Sequence, residues 1–304
     1  MSNQKLLEGK VIVVTGSGSG VGRGIALEAA RQGAKVVVND IGRTEAGTAT
    51  AQQVVDEIVA AGGAAAASTD NIAQWDGGQQ LVQCALDNFG RIDGVVNNAG
   101  VLKDKIFHKM SEEDFDFSIA VNLKGCFNVA RAAATHFKEQ GSGAFVHMTS
   151  TSGLVGNFGQ ANYCAAKLGV VGLSKAISLD MQRFGVTSNC IAPFANTPMV
   201  AAGIPKETPE QIARWKVIER MEPNKIAPFA CALMTDAGRE VSGQIFGVRA
   251  NEIYLFSQPR PMRTAHAGGD GWTTADVVER VFPMFKPSFY NLDRSMDVFT
   301  WDPV

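Results

Sequence analysis

The sequence predicts an α/β fold, with a doubly wound parallel sheet of about seven strands and a C-terminal extension. Strand-length apolar runs alternate with longer helical segments six times between residues 11 and 193. The runs are near-continuous in Val, Ile and Ala, which is typical of parallel strands covered by helices on both faces. Such alternation builds a doubly wound domain, which we expect over residues 1–248.

The elements of this domain are expected in a regular order. The strands are VIVVTG (11–16), KVVVND (35–40), AAAAS (64–68), GVVNNAG (94–100), GAFVHMT (143–149), VTSNCIAP (186–193) and QIFGV (244–248). The helices are expected at about 24–33, 47–61, 75–89, 111–137 and 157–183. Glycines at 62, 63 and 90 are helix-stop signals. Ser111, with Asp114 three residues later, predicts a capping box.

Residues 249–304 form the expected extension, because they contain five prolines and little periodicity apart from Thr274–Phe282. This segment is too aromatic for a disordered tail, so we expect it to dock on its own domain or on a neighbouring subunit. It either stabilises exposed sheet and helix surface or covers one end of a binding pocket. Its aromatic residues include Phe256, Trp272, Phe282, Phe285, Phe289, Tyr290 and Trp301.

The composition excludes several classes of protein. A formal net charge of −2 provides no field for nucleic acid or an anionic membrane. No run of 18 uncharged apolar residues is present, and the N-terminus lacks a signal-peptide pattern. The 5 cysteines form no C-x-x-C pair, and the 4 histidines show no ligand spacing. We therefore expect a cytoplasmic protein with reduced thiols, no metal, and no nucleic-acid or membrane partner.

The stretch TGSGSGVGRG (15–24) follows the first strand and opens a helix. Its glycines at 16, 20 and 22 permit a tight turn and the close approach of a pyrophosphate to backbone amides at a helix N-terminus. Asp40 ends the second strand, 18 residues beyond Gly22, where an acid accepts hydrogen bonds from an adenosine ribose. Its carboxylate repels a 2′-phosphate and so favours NAD over NADP. Arg43 either offsets this repulsion or is a surface charge, the interpretation that we prefer.

Asp70 and Asn71 end the third strand, where they either lie beside the adenine or form a turn. Later in the chain, Tyr163 and Lys167 are four residues apart and project from one face of a helix. A neighbouring ammonium stabilises a phenolate, so the pair can exchange a proton with an alcohol oxygen. Ser150, at the end of the fifth strand, can bind the same oxygen, and Ser152 competes with it for this role. Taken alone, the Tyr–Lys spacing also suits an ordinary solvated helix face.

These features resemble the short-chain dehydrogenase/reductase family over roughly residues 8–250. The shared motifs are TGxxxGxG at 15–22, NNAG at 97–100, Asn122 in VNLKG, Ser150, and Y-x-x-x-K at 163–167. The resemblance implies a Rossmann-type fold, a nicotinamide cofactor and oxidoreduction of an alcohol/carbonyl pair. It implies that Ser150, which lies at the family spacing of thirteen residues before the tyrosine, is preferred to Ser152 and orients the substrate oxygen. It implies that Tyr163 is the acid/base. It also implies that Lys167 binds the nicotinamide ribose and favours ionisation of the tyrosine.

By the same resemblance, Asn122 kinks its helix and holds a water that links Lys167 to solvent. The residues expected to bind the cofactor are Gly16, Ser19, Gly20, Val21, Gly22, Asp40, Asp70, Asn71, Asn98, Gly100, Tyr163, Lys167, Pro193 and Thr197. The chain departs from the family at Pro193-Phe194, where the family usually has Pro-Gly. We expect the phenylalanine to narrow the approach to the nicotinamide.

Within the family, VVVND, NNAGVLKDK and GNFGQANYCAAKLG resemble the (3R)-hydroxyacyl-CoA dehydrogenase domain of multifunctional enzyme type 2 and related bacterial hydroxysteroid and hydroxyacyl dehydrogenases. This implies a 3-hydroxyacyl-CoA or hydroxysteroid-like substrate. An NADPH-dependent 3-oxoacyl reductase is an alternative that Asp40 disfavours. A non-catalytic nucleotide-sensing protein is another, although such proteins typically lose the tyrosine or lysine. The helices at 111–137 and 157–183 resemble those that pair between subunits, so a homodimer or homotetramer is expected.

Overall fold

The computed structural model describes residues 5–196, 207–269 and 271–304, and these form one eight-stranded sheet. The strands are β1 (Val11–Thr15), β2 (Lys35–Asn39), β3 (Ala64–Ser68), β4 (Gly94–Asn97), β5 (Gly143–Met148), β6 (Val186–Phe194), β7 (Ile245–Arg249) and β8 (Glu252–Leu255). Their order is β3-β2-β1-β4-β5-β6-β7-β8, and all neighbours pair in parallel except β7 and β8. The order reverses between β1 and β4, which opens a crevice at the carboxyl ends of these strands.

Helices between β1 and β7 cover both faces of the sheet, and short helices follow β8. They are α1 (Gly20–Arg31), α2 (Thr50–Ala60), α3 (Trp75–Phe89), α4 (Glu112–Ile119), α5 (Gly125–Gln140), α6 (Thr151–Leu154), α7 (Ala161–Met181), α8 (Pro209–Glu219), α9 (Ala227–Ala232), α10 (Thr274–Asp276), α11 (Phe282–Phe285) and α12 (Ser295–Val298). Among the described helices, none combines the length and apolarity that a membrane crossing needs.

Strand β1 shows why its apolar run has no polar alternation. Ile12 and Val14 are buried in the core under α1, α2 and α9, whereas Val11 and Val13 are buried in the opposite core under α3 and α5. Both faces of the strand therefore need apolar side chains. The predicted doubly wound α/β fold is confirmed.

Local signals set several helix ends as expected. Ser111 Oγ accepts from the amide of Asp114, whose carboxylate accepts from the amide of Ser111, so the predicted capping box is present. Gly90 ends α3 in the left-handed conformation, with a φ of 76°. The helix expected at 111–137 differs in two ways. A π-helical turn, Ala120–Lys124, divides it into α4 and α5, and α5 continues to Gln140.

The sheet has one strand more than the seven expected, because β8 lies in the C-terminal extension and pairs antiparallel with β7. Arg249, at the end of β7, links the sheet to the rest of that segment. Its guanidinium binds the carboxylate of Glu252 at 2.6 Å and the carbonyl oxygen of Trp301 at 3.0 Å. The guanidinium carbon is also 4.9 Å from the Trp301 ring centroid. Glu252 near the start of the extension and Trp301 near its end therefore both bind the buried guanidinium of Arg249.

A second part of the extension packs close to the carboxyl end of β5. The amide of Ser295 donates to the carbonyl oxygen of Gly156 at 3.0 Å, and its hydroxyl binds that of Thr151 in α6. The chain between β8 and Ser295 contains aromatic residues that remain largely exposed, namely Phe282, Phe289 and Tyr290. The extension thus touches its own domain at its ends and presents apolar surface from its middle.

Candidate active site

A cavity of about 800 Å³ opens at the carboxyl ends of the parallel strands. It is lined by most of the residues expected to bind a cofactor, namely Gly16, Ser19, Gly20, Val21, Asp40, Asp70, Asn71, Asn98, Gly100, Tyr163, Lys167 and Pro193. Three other expected residues, Gly22, Asn122 and Ser150, lie next to the cavity without lining it. Thr197 lies outside the described residues.

The glycine-rich loop has no room for side chains at two of its positions. A Cβ atom on Gly16, which has a φ of 60°, would lie 2.6 Å from the Cα of Ala99. A Cβ atom on Gly22 would lie 2.3 Å from the carbonyl oxygen of Gly16 and 2.5 Å from Nδ2 of Asn98. Gly22 therefore allows α1 to pack against the loop. The side chain of Asn98 donates to the carbonyl oxygens of Thr15 and Gly16, which fixes the shape of the glycine-rich loop.

Asp40, which follows β2, is held rigidly at one end of the cavity. Its carboxylate oxygens accept hydrogen bonds from the amides of Gly18, at 2.9 Å, and Gly42, at 2.7 Å. Each carboxylate oxygen can accept more than one bond, so capacity remains for ribose hydroxyls. Arg43 instead donates to the carbonyl oxygen of Gly47 at 2.9 Å and is exposed. The guanidinium is therefore bound away from the Asp40 carboxylate.

The same end of the cavity contains residues that the motifs did not indicate. Ile41 lines it with a largely exposed side chain, and Asn39 lines it from the end of β2. The side chain of Asn39 donates to Ser68 Oγ at 3.0 Å and to the carbonyl oxygen of Asp70 at 3.0 Å, which joins β2 to β3. In the sequence, Asn39 and Ile41 are marked as cavity residues by nothing except their positions on either side of Asp40. Together with Asp70 and Asn71 they make the lining at this end of the cavity partly apolar.

Tyr163 and Lys167 lie together at the other end of the cavity. Lys167 is 3% exposed, and its Nζ donates to the carbonyl oxygen of Met148 at 2.9 Å. The same Nζ is 5.6 Å from the centroid of the Tyr163 ring. A buried ammonium beside a half-buried phenol differs from a solvated helix face, the alternative that spacing alone allowed. Ser152, the competitor of Ser150, is buried, and its amide donates to Ser150 Oγ at 3.1 Å.

Asn122 lies in the π-helical turn between α4 and α5, so its helix is distorted where a kink was expected. Its side-chain amide donates to the carbonyl oxygens of Val101, at 3.0 Å, and Ser118, at 3.0 Å, and accepts from the amide of Val101 at 3.1 Å. A Cβ atom on Gly100 would lie 2.8 Å from Asn122 Oδ1 and 3.6 Å from Lys167 Nζ. Gly100 therefore lets the Asn122 amide and the Lys167 ammonium approach one another.

Phe194 does not narrow the cavity as expected. Its ring packs edge-on against Phe299 of the extension, with the centroids 4.8 Å apart, and does not line the cavity. Pro193, the preceding residue, does line it. The departure from Pro-Gly thus provides a docking point for the extension. Sequence could not reveal this because the partner lies more than a hundred residues away.

The described geometry fits a dinucleotide at an α/β switch point. The glycine-rich loop at the N-terminus of α1 lines the cavity, a fixed carboxylate lies near one end, and a phenol with a buried cation lies near the other. Among the described residues, no group of three or more His, Cys, Asp and Glu side chains could hold a metal ion.

Comparisons with known proteins identify the family. Residues 10–208 match the family model described as short chain dehydrogenase. The chain is 42% identical over 269 residues to a short-chain type dehydrogenase/reductase of Mycobacterium tuberculosis, covering 87% of this chain and 88% of the relative. It is 37% identical over 288 residues to the hydroxyacyl-CoA dehydrogenase ChsB1 of the same organism, covering 91% of this chain and 88% of that relative.

Longer and structurally characterised proteins also match. The chain is 40% identical over 257 residues to peroxisomal multifunctional enzyme type 2 of Mus musculus, with 83% of this chain and 33% of that protein covered. It thus spans about a third of that relative. A crystal structure of a short chain dehydrogenase from Mycobacterium avium superposes with a TM-score of 0.82 at 35% identity, covering 94% of this chain and 97% of the other. The chain therefore belongs to the short-chain dehydrogenase/reductase family and is an oxidoreductase.

Proposed function

We propose that the protein is an NAD-dependent dehydrogenase that interconverts a secondary alcohol and a ketone. The observation that carries the proposal is the buried Lys167 ammonium beside Tyr163, in the cavity that also contains the Asp40 carboxylate. Asp40 follows β2 and Lys167 binds the end of β5, so the two groups are separated by three strand spacings, or about 14 Å. A dinucleotide in an extended conformation suits such a cavity.

Each residue of the site has a separate role in this reaction. A bound nicotinamide would supply the site that accepts or donates hydride. In alcohol oxidation, Tyr163 takes the hydroxyl proton, and in ketone reduction it returns one. Lys167 is a fixed positive charge that stabilises the tyrosinate without moving. Ser150, at the N-terminus of α6, binds and orients the reacting oxygen. Asn122 supports this region by holding the segment at Val101.

We further propose a 3-hydroxyacyl-CoA or hydroxysteroid-like substrate. Phe117 and Val121 line the cavity and provide an apolar wall for an acyl chain or a ring system. The hydroxyacyl-CoA dehydrogenase name of one relative supports the acyl thioester. Asp40 supports NAD, because a second negative charge from a 2′-phosphate would be repelled in a position that Arg43 does not neutralise.

A panel of substrates with both cofactors tests the proposal. Initial rates would be measured for 3-hydroxyacyl-CoAs of several chain lengths, hydroxysteroids and simple secondary alcohols, each with NAD and with NADP. We expect the highest kcat/KM with NAD and with a substrate of the first two classes. A preference for NADPH with a 3-oxoacyl substrate would favour the reductase alternative. Binding of NAD(H) without turnover of any substrate would favour a nucleotide-sensing protein.

We also propose a cytoplasmic homodimer or homotetramer. The apolar side chains of Phe115, Phe127, Leu168 and Leu179, on α4, α5 and α7, are exposed in the single chain. Apolar surface of this kind is typical of subunit interfaces. Light scattering at micromolar concentration should give the mass of two or four subunits, and a monomer would contradict the proposal.

A further inference from the structure

Two adjacent residues at the carboxyl end of β5 bind both ends of Lys167. Thr149 is 2% exposed, and its hydroxyl donates to the backbone carbonyl oxygen of Lys167 at 2.6 Å. The carbonyl oxygen of Met148 accepts from Lys167 Nζ at 2.9 Å. A carbonyl oxygen has two lone pairs, so Lys167 can accept this bond in addition to its helical one. The backbone and the ammonium of one helix residue are thus fixed by one dipeptide.

The dipeptide is itself fixed in the sheet. Met148 pairs with Ile191 in the parallel register of β5 and β6, and the amide of Thr149 donates to the carbonyl oxygen of Ile191 at 2.8 Å. Strand β6 lies in the interior of the sheet, so this part of the structure has little freedom to move. The hydroxyl of Thr149 therefore fixes one turn of α7 relative to the sheet.

Gly153 brings α6 onto the same turn. A Cβ atom on Gly153 would lie 3.0 Å from the Cβ of Lys167 and 2.9 Å from the amide nitrogen of Leu168. Ser150 is the N-cap of α6, three residues before Gly153. The segment that bears Ser150 and the turn that bears Lys167 are consequently packed in direct contact. Thr149 links the first to β5 through the chain and the second through its hydroxyl hydrogen bond.

The position of the Lys167 ammonium depends on such neutral contacts. No ion pair among residues 5–196, 207–269 and 271–304 involves Lys167. The buried titratable groups that interact with it, namely Cys126, Cys190 and His147, carry no compensating charge. Burial raises the pKa of both thiols, and burial followed by the charge of Lys167 lowers the pKa of His147 to about 4. A lysine side chain has a flexible four-carbon stem, so anchoring Nζ alone leaves the backbone end free to shift.

We propose that Thr149 is a positioning residue whose hydroxyl fixes the turn of α7 that carries Lys167, and so sets the place of the ammonium beside Tyr163. Thr149 acts through Lys167 and takes no part in proton transfer. The inference uses the proposed alcohol–ketone chemistry only for its kinetic readout. Without the hydroxyl, the turn moves away from β5 and the ammonium stabilises the tyrosinate less well.

The test compares Thr149→Val, which removes only the hydroxyl at nearly constant volume, with Thr149→Ser, which keeps it. Ser188→Ala is the matched control, because Ser188 Oγ in β6 binds Ser174 Oγ in α7 at 2.8 Å, seven residues beyond Lys167. That variant also removes a buried strand-to-helix hydroxyl bond, but away from the ammonium. Each variant is measured for kcat and KM across pH, for NADH affinity by fluorescence titration, and for thermal stability.

For Thr149→Val we expect kcat for alcohol oxidation to fall about tenfold at neutral pH, with the substrate KM changed much less. The pH at which kcat/KM reaches half of its maximum should move upward, because the tyrosinate forms less readily. NADH affinity should weaken, since Lys167 lines the cofactor cavity. Thr149→Ser should restore these properties, and Ser188→Ala should alter stability without moving the pH midpoint.

The inference is overturned if Thr149→Val matches Ser188→Ala in pH midpoint and NADH affinity, or if Thr149→Ser is as impaired as Thr149→Val. If the native enzyme oxidises no alcohol with either cofactor, the proposed function fails, and the NADH titrations still decide the role of Thr149. Should Thr149→Val not fold, Gly153→Ala displaces the same turn from the other side. It should then shift the same quantities in the same direction, and unchanged values would overturn the inference.

Discussion

The carboxylate of Asp40 accepts a hydrogen bond from the backbone amide of Gly18 at 2.9 Å, so the acid after β2 and the loop after β1 form one rigid unit. The acid therefore has two functions, because it shapes the glycine-rich loop as well as presenting a charge to the cavity. A substitution at this position should change both the affinity for the dinucleotide and the choice between NAD and NADP.

We expect Asp40→Ser to weaken NAD and to improve the relative use of NADP, because it removes the charge that repels a 2′-phosphate. The ratio of kcat/KM values for the two cofactors measures this change. Arg43→Ala is the control, since Arg43 is bound to the carbonyl oxygen of Gly47 and should leave the ratio unchanged. A native preference for NADP of tenfold or more, about 1.4 kcal/mol, would contradict the assignment.

Tyr163→Phe should lower kcat by orders of magnitude, because the ring is kept while the transferable proton is lost. NAD affinity should remain nearly native, since the ring still packs beside Lys167. Steady-state kinetics and NADH fluorescence titration together measure the two effects. Turnover close to that of the native enzyme would disprove the role of the phenol.

Ser150→Ala should reduce kcat strongly, whereas Ser152→Ala should act mainly on stability. The two serines differ in exposure and position, because Ser150 caps α6 and Ser152 is buried within it. Ser150→Ala also removes the acceptor for the amide of Ser152, so thermal melts must accompany the kinetics. An active Ser150→Ala variant beside an inactive Ser152→Ala variant would show that the catalytic serine is Ser152.

Truncation after Ala250 should destabilise the protein, because it removes Phe299 and Trp301 from Phe194 and from the buried guanidinium of Arg249. Phe299→Ala is a milder variant and should reduce the free energy of unfolding by about 1–3 kcal/mol. Tyr290→Ala is the matched control, since that side chain is 82% exposed. Urea denaturation and the substrate profile separate a stabilising role from a role in substrate selection. A truncated protein with native stability and native selectivity would exclude both.

The stability of the fold should fall between pH 6.5 and pH 4 because of His147. Burial is the main cause that lowers the pKa of this imidazole to about 4, from 6.5. The unfolded chain therefore binds a proton as the pH falls through 6.5, while the folded chain does so only near pH 4. The free energy of unfolding should decrease by up to about 3 kcal/mol over this window. His147→Gln should flatten the dependence in urea titrations, whereas His108→Gln, at an exposed position, should not.

The sequence predicted those features that depend on short-range physical rules. The capping box at Ser111 needs only two side chains and the backbone between them. The end of α3 at Gly90 needs only a residue that tolerates a positive φ. The doubly wound sheet follows from strands that bury both faces. Each of these signals is contained within a few consecutive residues, so no knowledge of the tertiary structure was required.

The features that were missed depend on contacts between distant segments. Strand β8 has four residues, and its pairing with β7 is held by Arg249 and the distant Trp301. Phe194 faces away from the cavity because Phe299 provides an aromatic partner. Ile41 lines the cavity although an isolated isoleucine after a strand carries no motif. In each case the partner or the shape of the cavity emerges only from the folded chain.

The π-helical turn at Ala120–Lys124 separates the geometry near the cavity from the packing of α5. A π-helical turn holds one residue more than the α-helical turn that it replaces. Deleting one residue there would restore a regular helix and leave the register of α5 unchanged, because the extra residue is accommodated within that one turn. Val129 and Phe137, which are fully buried, would therefore stay in the core. The position of Asn122 and its hydrogen bonds to Val101 would change instead, so the length of this turn affects the region near the cavity more than it affects the fold.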